Sequence, residues 1–335
     1  MKKHTLLDDF QARRDFYTNR ASAIFPIYFK SFENDLIISF LNYWTIKNKI
    51  PKDSLILNLR IYKDNGFLYL RKLINKIEFN NIISIRDFVK DEDFEGMLEI
   101  EIISTYNIRF PFPAISGIFK SKNYYSSVHS AGRIKASNEL STSIPTLETN
   151  WTCKFFDNIT PFFHYFNGPA EKKVSLVVNL YSCDGKIVES KVINKKYNSL
   201  SSQMFFADEL FEPGIFEKNM FLGIQCNNDE AFRRMVVGNY HRDINHLEVT
   251  HTFAWQNKID YCPKTNSPKT PNSFLAMYND KPFSLSARVF PTNCDGKFNL
   301  TTREQQYDTK KLGKIKQSND INKQLEKGFG QITIP

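Results

Sequence analysis

One motif recurs three times along this chain, and it limits the possible folds more than any other feature. SLILNLRIYKDNG begins at Ser54, SLVVNLYSCDG at Ser175 and SLSARVFPTNCDG at Ser284. An internal repeat has to be found first, because missing it misassigns every later element. In each copy alternate residues are apolar: Leu55, Leu57 and Leu59; Leu176, Val178 and Leu180; Leu285, Ala287 and Val289. A period of two marks one buried face of a strand. Asn65-Gly66, Asp184-Gly185 and Asp295-Gly296 then supply the positive φ of a hairpin turn, so a returning strand is expected after each.

The similarity extends on both sides of the motif. Upstream lies an aromatic-rich strand, read from Ile37 to Tyr43, from Phe162 to Asn167 and from Phe274 to Asn279. Downstream an aspartate sits in a short apolar connector, at Asp87, Asp208 and Asp320, and a further strand follows at 97–103, 220–226 and 330–334. Copies one and two then end in a strand closed by a histidine, His129 and His251. The separation from turn glycine to histidine is 63 residues in the first copy (66 to 129) and 66 in the second (185 to 251). The third copy runs only 39 residues past its glycine (296 to 335), about two strands short.

Short strands punctuated by turns, with little helical periodicity, point to antiparallel sandwiches rather than βαβ units. The expected fold is therefore all-β: tandem immunoglobulin-like antiparallel β-sandwiches, three repeats with the third incomplete, preceded by a short N-terminal helix. Leu6, Leu7, Phe10, Phe16 and Tyr17 form a helical stripe in the leader. Polar or proline-bearing linkers at 135–148 and 257–272 set the boundaries. The expected divisions are a helix over 1–22, sandwiches over 23–135 and 149–257, and a partial sandwich over 272–335.

Composition excludes several classes. At 335 residues the chain exceeds the roughly 100 to 200 usual for one domain, and 41% hydrophobic with 24% charged residues describes a globular protein. The N-terminal residues lack the apolar core of a signal peptide, and no apolar run reaches membrane-spanning length, so a soluble, cytoplasmic protein is expected. Five cysteines, odd in number and without a CxxC pair, suggest reduced thiols rather than disulfides or a zinc ribbon. The net charge of +9 is scattered among acids, so nucleic acid is not an expected partner.

The candidate chemical residues are few. His129 and His251 hold equivalent places, each followed by a hydroxyl residue, and an enzyme would use one as a general acid or base oriented by Glu248 or Glu139. A residue kept in both copies of a repeat is more simply a fold determinant. His241, His246 and His251 are close in sequence, yet in a strand His246 and Glu248 share one face and His251 takes the other, so no metal site is expected. Arg109 and Arg233 precede the last hairpins and could grip an anionic group. Trp44, Trp151, Trp255 and the pair Tyr124-Tyr125 fall near strand ends, where a sugar could stack. The candidate binding residues are Arg109, Arg233, Tyr124 and Trp255.

No nucleophile elbow, zinc-protease motif or phosphate loop is present, and no cofactor is expected. The leading expectation is a non-enzymatic binding or assembly protein that presents its sandwiches to a partner protein or glycan. The alternative is an enzyme with a pocket at the junction of repeats one and two, using a histidine acid or base. The short third repeat leaves a sheet edge to be covered by another chain, giving a homo-oligomer through that edge, or by the segment Ile24 to Phe32.

Overall fold

The computed structural model describes residues 20–47, 49–75, 77–108, 115–129, 132–134, 146–152, 155, 158–182, 186–217, 220–226, 231–233, 235–252, 285–289, 296–308, 311–325 and 330–334. At 132–134, 146–152, 231–233 and beyond 285 the description is of the backbone. The chain divides into two compact units, 1–181 with 188–255 and 182–187 with 256–335.

In the first unit, eight strands build the first sandwich: β1 (Arg20–Phe29), β2 (Asn34–Leu41), β3 (Leu55–Lys63), β4 (Leu68–Ile74), β5 (Asn80–Ser84), β6 (Phe94–Ser104), β7 (Ile115–Ser121) and β8 (Tyr124–His129). Their sheets run β1-β6-β3-β4 and β5-β2-β7-β8. After the short β9 (Gly132–Ile134), the second sandwich uses β10 (Thr146–Thr152), β11 (Ile159–Phe166), β12 (Lys172–Tyr181), β13 (Ile187–Tyr197), β14 (Ser202–Phe206), β15 (Phe221–Cys226), β17 (Val236–His241) and β18 (His246–His251), with β16 (Ala231–Arg233) paired to β9. Its sheets run β10-β15-β12-β13 and β14-β11-β17-β18. Strand for strand this is the order of the first sandwich. Two short helices interrupt the strands, α1 (Tyr43–Lys47) and α2 (Ala207–Leu210), and no helix among the described residues is long and apolar enough to cross a membrane.

Alternation explains why these segments are strands. Leu55, Leu57 and Leu59 of β3, and Leu176, Val178 and Leu180 of β12, all point into their cores and are buried. The turn after β3 is a finding in itself. Within this turn Gly66, not Asn65, has positive φ (+88°); its N–H donates to Lys63 O, and Lys63 N–H to Phe67 O. This is a three-residue connection with a left-handed glycine, a bulged hairpin rather than a tight two-residue one.

The core of the first sandwich extends across the seam into the second. In β11, Phe163 and Tyr165 face the interior of the second sandwich, while Phe162, on the opposite face, joins the core of the first. Met204, Phe206, Val236, Tyr240 and Leu247 do the same. Tyr28 of β1 closes this layer, its ring 5.6 Å from Phe206 and 5.3 Å from Tyr240. Burying each such large side chain contributes about 1.5–3 kcal/mol, so the seam holds the two sandwiches as one body. The segment from Ile24 lies in β1, paired antiparallel with β6, so it completes the first sandwich rather than a later one.

In the second unit, β19 (Leu285–Val289) pairs antiparallel with β22 (Gly330–Ile334), as β3 pairs with β6 and β12 with β15. Between them β20 (Gly296–Asp308) and β21 (Lys311–Leu325) form one long hairpin. Asp320, expected in a connector, lies in β21 opposite Thr301.

Candidate functional site

The two equivalent histidines meet. β8 and β18, the last strands of their sandwiches, run side by side along the seam, and the rings of His129 and His251 pack edge to face with centroids 4.4 Å apart. The Tyr124 and His246 rings lie tilted at 42° with centroids 5.9 Å apart. Five residues separate each pair on both strands, from 124 to 129 and from 246 to 251, so β8 and β18 run in the same direction. Ser126 fixes their register: its hydroxyl donates to Leu247 O and accepts the Val249 N–H at 3.3 Å. Asn34 Nδ2 donates to Asn245 O (2.8 Å) and Ser121 Oγ to Ile244 O (2.5 Å), fastening the β17–β18 turn to the first sandwich. His129 is exposed, and His251 is half-buried with Nδ1 3.2 Å from Thr252 O.

A second group lies on the other face of β18. Register places His246 opposite His241 and Glu248 opposite Asn239. His241 Nε2 is 3.3 Å from Glu248 Oε2, and Asn239 Nδ2 is 3.5 Å from the same oxygen. Burial holds the imidazole of His246 below its usual pKa, and the neighbouring His241 adds to this. A carboxylate beside an imidazole can orient it as an acid or base. His251 points to the opposite face, and among the described residues no three potential ligands converge on a metal position.

A third constellation was missed by sequence reasoning. Glu99 and Glu101 alternate on the outer face of β6, where a solvated surface would be expected, yet they are 1% and 2% exposed. Arg60 on β3 reaches both, Nη2 lying 2.7 Å from Glu99 Oε2 and 2.6 Å from Glu101 Oε2. Asn58 donates to Glu101 at 2.9 Å, Arg20 of β1 reaches Glu101 at 3.1 Å, and Arg71 of β4 donates to Asn58 at 3.3 Å. Burial pushes the Glu99 carboxyl up to about 7 although Arg60 pulls the other way. Register aligns Arg60 and Glu99 with Tyr181 and Phe221, whose rings stack at 4.6 Å in the second sandwich. The fold therefore does not require charge at these positions.

Of the other candidates, Tyr124 is 49% and Tyr125 60% exposed, whereas Trp44 is fully buried and stacked on Tyr43, out of a ligand's reach. Arg233 sits in β16 opposite Gly132. Arg109, Glu139 and Trp255, together with Cys153, Cys183, Cys262 and Cys294, lie outside the described residues. Cys226 is a buried free thiol. Exposed apolar side chains line the β2–β5 pair: Leu41 and Ile82 share one face and are 54% and 77% exposed, and Phe79, beside the end of β2, is 47% exposed; Ile46 of α1 is 61% exposed.

By architecture this is a tandem antiparallel β-sandwich protein. No family model and no curated protein matches the chain. Among solved structures it is similar to Bacteroides uniformis β-glucuronidase 2, bound covalently to a cyclophellitol-6-carboxylate aziridine, with 11% identity over 76% of this chain and 28% of that one, at a TM-score of 0.21. A further Bacteroides uniformis β-glucuronidase structure matches with 12% identity over 76% of this chain and 28% of that one, at a TM-score of 0.18. The chain thus spans less than a third of these enzymes' length, and such scores are too low to support a shared activity.

Proposed function

We propose that this chain is a binding or assembly protein whose tandem sandwiches present edges and loops to a partner protein or glycan. The observation that carries the reading is the contrast between seam and edge. The seam is closed by a continuous core, whereas Leu41 and Ile82 stand exposed on one face of the β2–β5 pair, with Phe79 exposed at its end and Ile46 exposed on α1. Contiguous apolar surface on a folded protein marks a place where something docks. The half-exposed Tyr124 and Tyr125 and the candidates Arg109, Arg233 and Trp255 are proposed as further contacts. In this reading the sandwiches are those expected over 23–135 and 149–257, with β1 and β10 moving their starts to Arg20 and Thr146, a helix precedes them in the residues before β1, and a partial third spans 272–335. Immunoglobulin-like is meant in its architectural sense, two antiparallel sheets face to face with loops gathered at their ends.

The test is binding of the full chain to immobilised glycans and to candidate proteins, repeated with Ile82→Lys and Ile46→Lys. Binding lost in these variants while folding is retained supports the reading. A chain that binds neither class but turns over a small molecule overturns it.

A second reading, an acid–base site at the junction of the sandwiches, is favoured by the contact of His129 with His251 and by the His241–Glu248 pair. His129→Ala and His251→Ala separate the two. Loss of turnover at an unchanged melting temperature speaks for catalysis, and a lowered melting temperature alone speaks for a structural role.

A further inference from the structure

We propose that β5 is the strand through which two copies of this chain pair, edge to edge and antiparallel, to form a symmetric dimer. The inference rests on the binding reading above and names the partner. Every open sheet has edges whose unpaired backbone groups can template another strand, and proteins protect them with charge, proline or cover. Among the edges whose side chains are described, β8, β18, β1, β14, β4 and β13 are protected in these ways, and β5 is not. β8 and β18 lie against each other, and β1 is buried along nearly its whole length. β14 is sealed by the first sandwich, Ser202 N–H donating to Asp64 O at 2.8 Å. β4 carries Arg71 and Lys72, and β13 carries Glu189, Lys191, Lys195 and Lys196. From Phe79 to Ile85 the sequence FNNIISI has no charge, no proline and no glycine.

Two further observations point to a second copy. β5 and β14 are equivalent strands, since β5 pairs with β2 and β14 with β11 at the same edge of matching sheets. In the second sandwich this edge already seats a neighbouring sandwich, so the first leaves open the counterpart of a surface the chain uses elsewhere. An uncharged edge also meets its own copy without repulsion and offers nothing to a charged partner. A two-fold axis through Ile82 sets Ile82 beside its counterpart and Asn80 opposite Ser84. The exposed Ile82 side chains of the two copies then shield each other across the new strand pair.

The test is sedimentation of the full chain over a wide concentration range, with Ile82→Lys and, as a control, Val192→Lys on β13, where the native side chain is also largely exposed (59%). A dimer that Ile82→Lys weakens at least tenfold, with Val192→Lys unaffected and both melting as the parent does, is the expected result. Ile82→Cys should also yield a covalent dimer with a short bis-maleimide. A parent monomeric at all concentrations overturns the proposal, as does a dimer that survives Ile82→Lys or dissociates equally with Val192→Lys. A monomer that still holds another protein through the patch overturns self-pairing alone, and a monomer that binds nothing overturns the broader reading as well.

Discussion

Arg60 holds Glu99 at 2.7 Å on a sheet face where Glu99 and Glu101 of β6 are almost sealed from water. Taking the carboxylate out of water costs more than the arginine returns, so the Glu99 pKa rises from 4.5 to about 7. A carboxyl with a raised folded pKa binds more protons folded than unfolded between those values. Stability therefore falls as pH climbs through that window, by at most ~1.4 kcal/mol per pH unit. Glu99→Gln should remove this downward contribution, read as the difference between variant and parent chemical-denaturation midpoints between pH 4.5 and 8.

His164 works in the opposite sense. It lies in β11, opposite Met204, 2% exposed, and among the described residues its Nε2 finds no hydrogen-bond partner. Burial lowers its pKa from 6.5 to about 3, so the fold demands the neutral ring. Stability contributed by that neutral state is whole above pH 6.5 and is lost as pH falls toward 3. Between 4.5 and 6.5 the slopes of Glu99 and His164 oppose each other, and the parent should show a plateau. With His164→Phe, stability should fall steadily from pH 4.5 to 7, whereas with Glu99→Gln it should rise to pH 6.5 and then stay level. Identical pH profiles for the two variants would refute this assignment.

Gly66 is constrained twice. Its φ of +88° disfavours any side chain, and a Cβ there would come within 2.1 Å of the Ser199 carbonyl oxygen in the second sandwich. Gly66→Ala should cost about 2–4 kcal/mol, combining left-handed backbone strain with displacement of the 199–201 backbone. Because that backbone belongs to the seam, hydrogen exchange should quicken at Ser202, whose N–H donates to Asp64 O.

Much of this was legible from residue order. The period-two pattern of Leu55–Leu57–Leu59 and Leu176–Val178–Leu180 defines strands and their inner face, and the alignment of His129 with His251 names the strands that meet at the seam. The burial of Glu99 and Glu101 was not legible. Alternation on β6 reports which side chains share a face, and only tertiary cover decides whether that face is wet. The same limit applies to β11, where Phe162 and Phe163 are both buried because the sheet is covered on both faces. The left-handed Gly66 could be foreseen from Asn-Gly, but its contact with Ser199 depends on how the sandwiches dock.

Asn42 and Asn167 show how one position diverges between copies. Each ends the strand next to its sheet's edge strand, and each donates its N–H to the loop entering that edge strand, at Phe79 O and Ser201 O. The Asn167 side chain donates to Ala170 O and Asn198 O at 2.8 Å, with a longer contact to Tyr197 O. The Asn42 amide, equally buried, finds no partner among the described residues. Removing a satisfied buried donor strands the carbonyls it served, whereas removing an unsatisfied one leaves little unpaired. Asn167→Ala should therefore destabilise the protein by about 2–4 kcal/mol, and Asn42→Ala by much less, in equilibrium unfolding of both variants. Equal losses would mean that a bound water or other group satisfies Asn42, and the two copies would then share a polar clamp at this position.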